Sequence, residues 1–230
     1  MNEGNVEAYT VASRRRFIDA VRRATGRSAG DIPPAPEIDE ALVRLVEPDE
    51  DLIECFSQRA VEVGMAVHRQ NAANADDAIV SLLGQINART AVIGMSDAAQ
   101  MNRLQILLKA NGIDVLDFKA PGAVDRQFDV DVGITDVHAA LADTGSLVCC
   151  SDASHGRCLS LVPPVHVAVV HRRRILADMV DLWSAVRDGT MLPGSISIIT
   201  GPSKTADIEG ELITGVHGPG REEIFIVDDG

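Results

Sequence analysis

The chain has 230 residues, of which 46% are hydrophobic, 24% charged and 3% aromatic, and it carries a formal charge of −13. That hydrophobic content excludes a disordered polypeptide, and no run approaches the ~18–20 apolar residues of a membrane-spanning helix. The acidic excess, with only five Phe, one Trp and one Tyr, argues against a nucleic-acid partner, whose phosphates call for Lys and Arg and whose bases call for stacking platforms.

Met1-Asn2-Glu3-Gly4 opens with an acid, and no apolar core follows. A signal peptide is therefore not expected, and a cytoplasmic location is the default. Val6 to Thr25 reads as a basic amphipathic helix, with Phe17, Ile18 and Val21 set among Arg14-Arg15-Arg16 and Arg22-Arg23; Gly26 is its stop. A linker with Pro33, Pro34 and Pro36 leads into an acidic stretch from Glu37 to Glu54. The expected division is a helical arm and linker over 1–60 and an α/β domain over 61–230. The charge contrast suits an arm lying on an acidic surface, of its own body or of a partner, and equally a solvated helix face.

Beyond Val61, short apolar runs alternate with helix-like stretches. The runs are Met65–His68, Ala91–Met95, Ile113–Phe118, Val130–Ile134, Leu147–Cys150, Val165–Val170, Ser195–Thr200 and Ile224–Val227. Helices are expected over Ala75–Ala88, Ala98–Asn111, Asp136–Ala142, Ile175–Asp188 and Ala206–Ile213. Strands alternating with helices imply an α/β fold: a mainly parallel sheet with helices on both faces, and an N-terminal helical extension. In such a sheet, chemistry is expected in the loops beyond the carboxyl ends of the strands. Cys55, Cys149, Cys150 and Cys158 form no C-x-x-C pair, so zinc and iron–sulfur spacings are missing and buried thiols are expected. No metal site and no cofactor motif is recognisable.

Three loops combine small, hydroxylated and charged residues. Gly133-Ile134-Thr135-Asp136 leads to Thr144-Gly145-Ser146, where backbone can approach closely and hydroxyls can donate; a turn that simply needs Gly is the alternative. Gly201-Pro202-Ser203-Lys204-Thr205, read as leaving a strand and entering a helix, offers amides, two hydroxyls and a cation to a phosphate or carboxylate. It lacks the Gly before Lys that a Walker loop requires. Helix capping by Ser203 or Thr205 is its alternative. Asp207 and Glu209 follow, and either could act as a general base. Gly215-Val216-His217-Gly218-Pro219-Gly220-Arg221 gathers three glycines around His217 but fails the dinucleotide fingerprint. The ligand-binding candidates are thus Thr144, Gly145, Ser146, Gly201, Pro202, Ser203, Lys204, Thr205, His217 and Gly218.

Gly201-Pro202-Ser203-Lys204-Thr205-Ala206-Asp207-Ile208-Glu209 followed by Gly215-Val216-His217-Gly218-Pro219 resembles the C-terminal signature of the LUD-domain family, in its lactate utilization protein C subfamily. Gly133-Ile134-Thr135, Thr144-Gly145-Ser146 and the Arg-rich first helix match in order and placement. The resemblance implies a fold similar to the sugar-phosphate isomerase and CoA-transferase superfamily. It also implies membership of a bacterial three-protein system that oxidises L-lactate to pyruvate, with an iron–sulfur subunit as partner. A non-redox subunit holding a small anion fits that resemblance; a free-standing enzyme acting on a sugar phosphate or an acyl-CoA, with Asp207 or Glu209 as base or nucleophile, is the alternative.

Overall fold

The computed structural model of the chain describes residues 3–28, 30, 39, 44–47, 50–187, 193–206 and 212–228. It divides into two units, Met1–Asp39 and Glu40–Gly230. The first contains helix α1 (Glu3–Thr25). Gly26 adopts φ 66°, while the Arg27 amide donates to the Arg22 carbonyl and the Gly26 amide to that of Arg23. These are the two bonds of a Schellman end, which needs a residue in the left-handed region.

In the second unit the elements run α2 (Leu52–Glu62), β1 (Ala66–Asn71), α3 (Ala75–Gln85), β2 (Thr90–Gly94), α4 (Ala98–Ala110), β3 (Asp114–Leu116), α5 (Ala123–Arg126) and β4 (Val132–Asp136). They continue with β5 (Ala139–Leu141), β6 (Ser146–Cys150), β7 (Val165–His171), β8 (Ile175–Leu176), α6 (Met179–Arg187), β9 (Ile196–Ile199), β10 (Lys204–Ala206), β11 (Leu212–Thr214) and β12 (Arg221–Asp228). Six of these strands form one parallel sheet in the order β1-β12-β7-β4-β2-β3. Its inner strands are buried on both sides, which is why runs such as Val167–Val170 lack a polar face. Ile79, Leu83, Leu104 and Leu108 of α3 and α4 pack on one face with Ile93, Ile134 and Phe225. The other face is covered by Phe56 and Ala60 of α2 and by a four-stranded sheet, β8-β5-β6-β9.

Helix α2 falls across the end of the acidic stretch Glu37 to Glu54 and the expected boundary between arm and domain at 60/61. Asp51 caps it, its carboxylate accepting from the Ile53 and Glu54 amides, and Phe56 and Ala60 lie one turn apart on the buried face.

Three helix expectations are corrected. Asp136–Ala142 ends β4 and then forms β5, paired with β6 and β8. Ala139, Ala140, Leu141 and Ala142 are all buried, so sheet pairing overrides the helix propensity of alanine. Ile175–Asp188 opens as β8, and α6 begins only at Met179, where the Asp178 carboxylate accepts from the Val180 and Asp181 amides. The helix expected over Ala206–Ile213 meets strand at both described ends: Lys204–Ala206 is β10, antiparallel to β11, so no helix starts at the Ser203-Lys204-Thr205 loop, and residues 207–211 lie outside the described residues. The cysteines are free thiols, half-buried rather than fully buried.

Candidate functional site

Of the segments singled out in the sequence, Thr144-Gly145-Ser146, the Gly201–Thr205 loop and the Gly215–Gly220 loop gather at the amino end of the parallel sheet, whereas Gly133-Ile134-Thr135-Asp136 is part of strand β4 and ends at the opposite, carboxyl end. The Ser146 hydroxyl bonds both Thr144 Oγ1 and Thr200 Oγ1 at 2.7 Å, so Thr144-Gly145-Ser146 and the segment before Gly201 do come together. What they enclose is the end of α2. A Cβ on Gly145 would lie 2.3 Å from the Ala60 nitrogen, and one on Gly201 2.7 Å from the Val63 oxygen. Lys204 Nζ donates to that Val63 carbonyl at 2.8 Å, as a cation does at a helix C-terminus, and the Pro202 ring lies beside Gly64. Ser203 exchanges backbone bonds with Pro219 and Gly215, and Gly218 lies against its side chain. Thr205 pairs with Ile213 in the β10–β11 ladder, and His217 is exposed. Asp207 and Glu209 lie outside the described residues.

At the carboxyl end the sheet reverses direction. From β2 the chain moves outward through α4 to the edge strand β3, then returns past β2 to β4 and continues through β7 to β12. The reversal lies between β2 and β4, the switch point where open α/β sheets form a ligand crevice. Asp136 ends β4 there. Its Oδ1 accepts from the Ser96 amide at 3.0 Å and from His155 Nε2 at 2.6 Å, while His155 Nδ1 bonds Asp152 Oδ1 at 2.9 Å. An imidazole donating from both nitrogens is an imidazolium. Burial alone pushes the His155 pKa down, but the two carboxylates more than offset it and the pKa is raised. Burial likewise acts to raise Asp152, and the bonds from His155 and the Ser154 amide outweigh it, leaving its pKa at about 2. Asp136 is lowered in the same manner, its burial outweighed by His155.

His138 completes the cluster, 3.3 Å from Asp152 through Nε2. Its Nδ1 accepts from the Cys150 amide, which leaves the proton on Nε2, and burial followed by the nearby His155 charge holds its pKa down. His138, Asp152 and His155 are close enough to share a cation. In this bonding pattern neither imidazole has a free lone pair for one, and the group is a hydrogen-bonded clamp.

The clamp holds the loop 151–156 over the end of β2. A Cβ on Gly94 would meet the Leu159 side chain at 2.4 Å and the Ser154 oxygen at 2.8 Å. Beside it opens a cleft of about 410 Å3. Met95, Met101, Leu116 and Phe118 supply apolar walls; Ser96, Asp117, Lys119 and, at the far end, Lys109 supply polar groups. Behind the clamp, sheet register sets Gly133, His166 and Glu222 side by side across β4, β7 and β12. Glu222 bonds His166 Nδ1 at 2.7 Å, and His166 Nε2 bonds Thr135 Oγ1 at 2.9 Å, all three buried. A Cβ on Gly133 would lie 1.9 Å from the Leu159 carbonyl oxygen, so that position admits only Gly. Thr135 borders a small cavity with Cys149 and Ser160, where burial pushes the Cys149 thiol up to about 12.

The sequence reading marked Thr135 and Asp136 only as part of a loop and missed His155, Asp152, Ser96, Asp117 and Lys119. Strand-terminal acids were the available signal: Asp97 and Asp136 each fall two residues past an apolar run, and Asp117 is the second-last residue of the run Ile113–Phe118.

A six-stranded parallel sheet with an antiparallel second sheet on one face defines an α/β protein with its crevice at the β2/β4 switch point. The LUD domain profile matches residues 53–227, well over half of the chain, and the chain belongs to that family. It is similar to Lactate utilization protein C of Bacillus velezensis, 26% identical across 96% of this chain and 98% of that protein. It is also similar to Lactate utilization protein C 1 of Bacillus mycoides, 31% identical across 71% of this chain and 73% of that one. A crystal structure of a DUF162 family protein from Deinococcus radiodurans shares the fold, with a TM-score of 0.56 and 24% identity over 76% of this chain and 96% of that one. Among the described residues no helix is long and apolar enough to cross a membrane.

Proposed function

We propose that the chain is a subunit of a lactate-oxidising system, working beside an iron–sulfur partner as a non-redox component that holds a small anionic ligand at the carboxyl end of the sheet. The near full-length likeness to proteins named for lactate utilization supports the setting. The observation that carries the ligand reading is the cleft at the ends of β2 and β3, with Lys119 beside apolar walls. This is the place and make-up expected of a small-molecule site. The hairpin loops are the weaker anion candidate, because Lys204 already caps α2.

Co-expression with the iron–sulfur subunit tests the assembly: the two are expected to purify together, and a chain that elutes alone counts against it. A thermal-shift series with lactate, pyruvate and phosphate tests the ligand reading. A ligand at a hundred times its Kd adds about 2.7 kcal/mol of stability, and the shift should vanish in Lys119→Met.

The buried Glu222–His166–Thr135 order favours a second reading, an enzyme working alone on a sugar phosphate or an acyl-CoA, since acid, imidazole and hydroxyl stand as they do where a hydroxyl is activated. It requires turnover by the purified chain and loss of that turnover in His166→Asn.

A further inference from the structure

We infer that the cleft is shaped for a purine ribonucleotide with a single phosphate, an inference that rests on the cleft being the ligand site. Three observations carry it. The first is size: about 410 Å3 is far more than a three-carbon acid fills and lies in the range of roughly 300–1,000 Å3 that holds a drug-sized molecule. The second is connectivity. β2, α4 and β3 form one βαβ unit on the outer side of the switch point, the unit with which a mononucleotide-binding half begins. Such a unit places its ribose at an acid just past the second strand, about 20 residues after the first turn. Asp117 stands there, directly after β3, with Ser96 as the first residue of the turn after Met95. Its Oδ1 accepts from the Lys119 amide at 2.9 Å, which holds the carboxylate in place, and its second oxygen takes no bond among the described residues.

The third observation concerns the two ends of the ligand. Met101 and the Phe118 ring offer apolar surface for a base. At the turn after β2, where a dinucleotide would set its pyrophosphate, the Ser96 amide is already bonded to Asp136, and Asp97 caps α4 with its own carboxylate. The backbone there does not cradle a diphosphate. The remaining positive charge at the carboxyl end of the cleft is Lys119, whose ammonium lies 5.3 Å from the Phe118 ring centroid. One phosphate on Lys119 with the ribose on Asp117 is the match, which selects a mononucleotide over a dinucleotide.

The test is calorimetric titration of the full chain with AMP, 2′-deoxy-AMP, adenosine, inorganic phosphate, lactate and pyruvate, repeated on Asp117→Asn and Lys119→Met. Both side chains are exposed, so both variants are expected to fold as the parent does. AMP is expected to bind, about tenfold more weakly in Asp117→Asn, with 2′-deoxy-AMP showing the same loss on the parent and no further loss on that variant. Lys119→Met should weaken AMP and leave adenosine unchanged. AMP binding untouched by either substitution overturns the inference. Binding of lactate or pyruvate that Lys119→Met abolishes, with no binding of AMP, overturns the nucleotide and keeps the cleft. Silence from every compound overturns both.

Discussion

Both ends of the parallel sheet are closed by polar side chains that bond one another, and they leave different surroundings. At the amino end, Thr144, Ser146, Thr200 and Lys204 converge with Gly145 and Gly201, and their hydroxyls and cation satisfy one another and the end of α2. At the carboxyl end, Asp136, His155 and Asp152 also satisfy one another, yet they do so beside an open cleft at the switch point. The difference teaches that a loop rich in Gly, Ser, Thr and Lys, which reads as an anion site in sequence, can instead pack against backbone. Topology favours the carboxyl end for a ligand, because the connections from β2 and β4 diverge there.

Substitutions can break that contrast. The largest effect is expected from Gly145→Ala at the amino end. Gly145 has φ 66°, and a Cβ would lie 2.3 Å from the Ala60 nitrogen. Left-handed strain of about 1–2 kcal/mol and overpacking of about 1–3 kcal/mol should together remove about 3 kcal/mol in urea unfolding. A loss below about 1 kcal/mol would mean that the turn is not held against α2 and that the amino end is open.

A smaller but more diagnostic effect belongs to the clamp. His155→Gln leaves Asp136 and Asp152 without their shared cation, and about 2–3 kcal/mol should be lost, somewhat under the usual figure for a buried pair because Asp152 is half exposed. The sign of the pH dependence follows from the shifts. His155 is raised above 6.5, so its contribution is complete below that pH and fades as pH rises through the folded value. Asp152 is held at about 2 against 3.8, so its share is present above 3.8 and is lost as pH falls toward 2. The Tm gap between the parent and His155→Gln should therefore be widest between about pH 4 and 6.5. A gap that widens above pH 7 would show that His155 is not the cation of the clamp.

The smallest effect is expected at Lys204. Its ammonium is exposed and makes one bond to Val63, so Lys204→Met should cost about 1 kcal/mol and leave any ligand-induced thermal shift unchanged. If that substitution abolished the shift instead, the anion site would belong at the amino end after all.

Much of the fold is legible in the residues. The continuous runs Ala91–Met95, Val165–Val170 and Ile224–Val227 mark strands buried on both faces. The first helix ends at the Gly that its left-handed cap requires. α2 is missed because acidic surface residues dilute a short buried stripe, and Asp136–Ala142 is misread because alanine favours a helix until a neighbouring strand claims it.

What the sequence by itself determined is therefore which segments bury themselves and with what period, since that pattern is local: one buried face on α2 to α4, two on the inner strands. What only the tertiary structure decided is which residues share a site. Ser96, Asp136, Asp152 and His155 meet through the order β4-β2, and Thr135, His166 and Glu222 meet through the register of β4, β7 and β12. Strand order and register arise from packing between segments far apart in the chain, and no local periodicity carries that information.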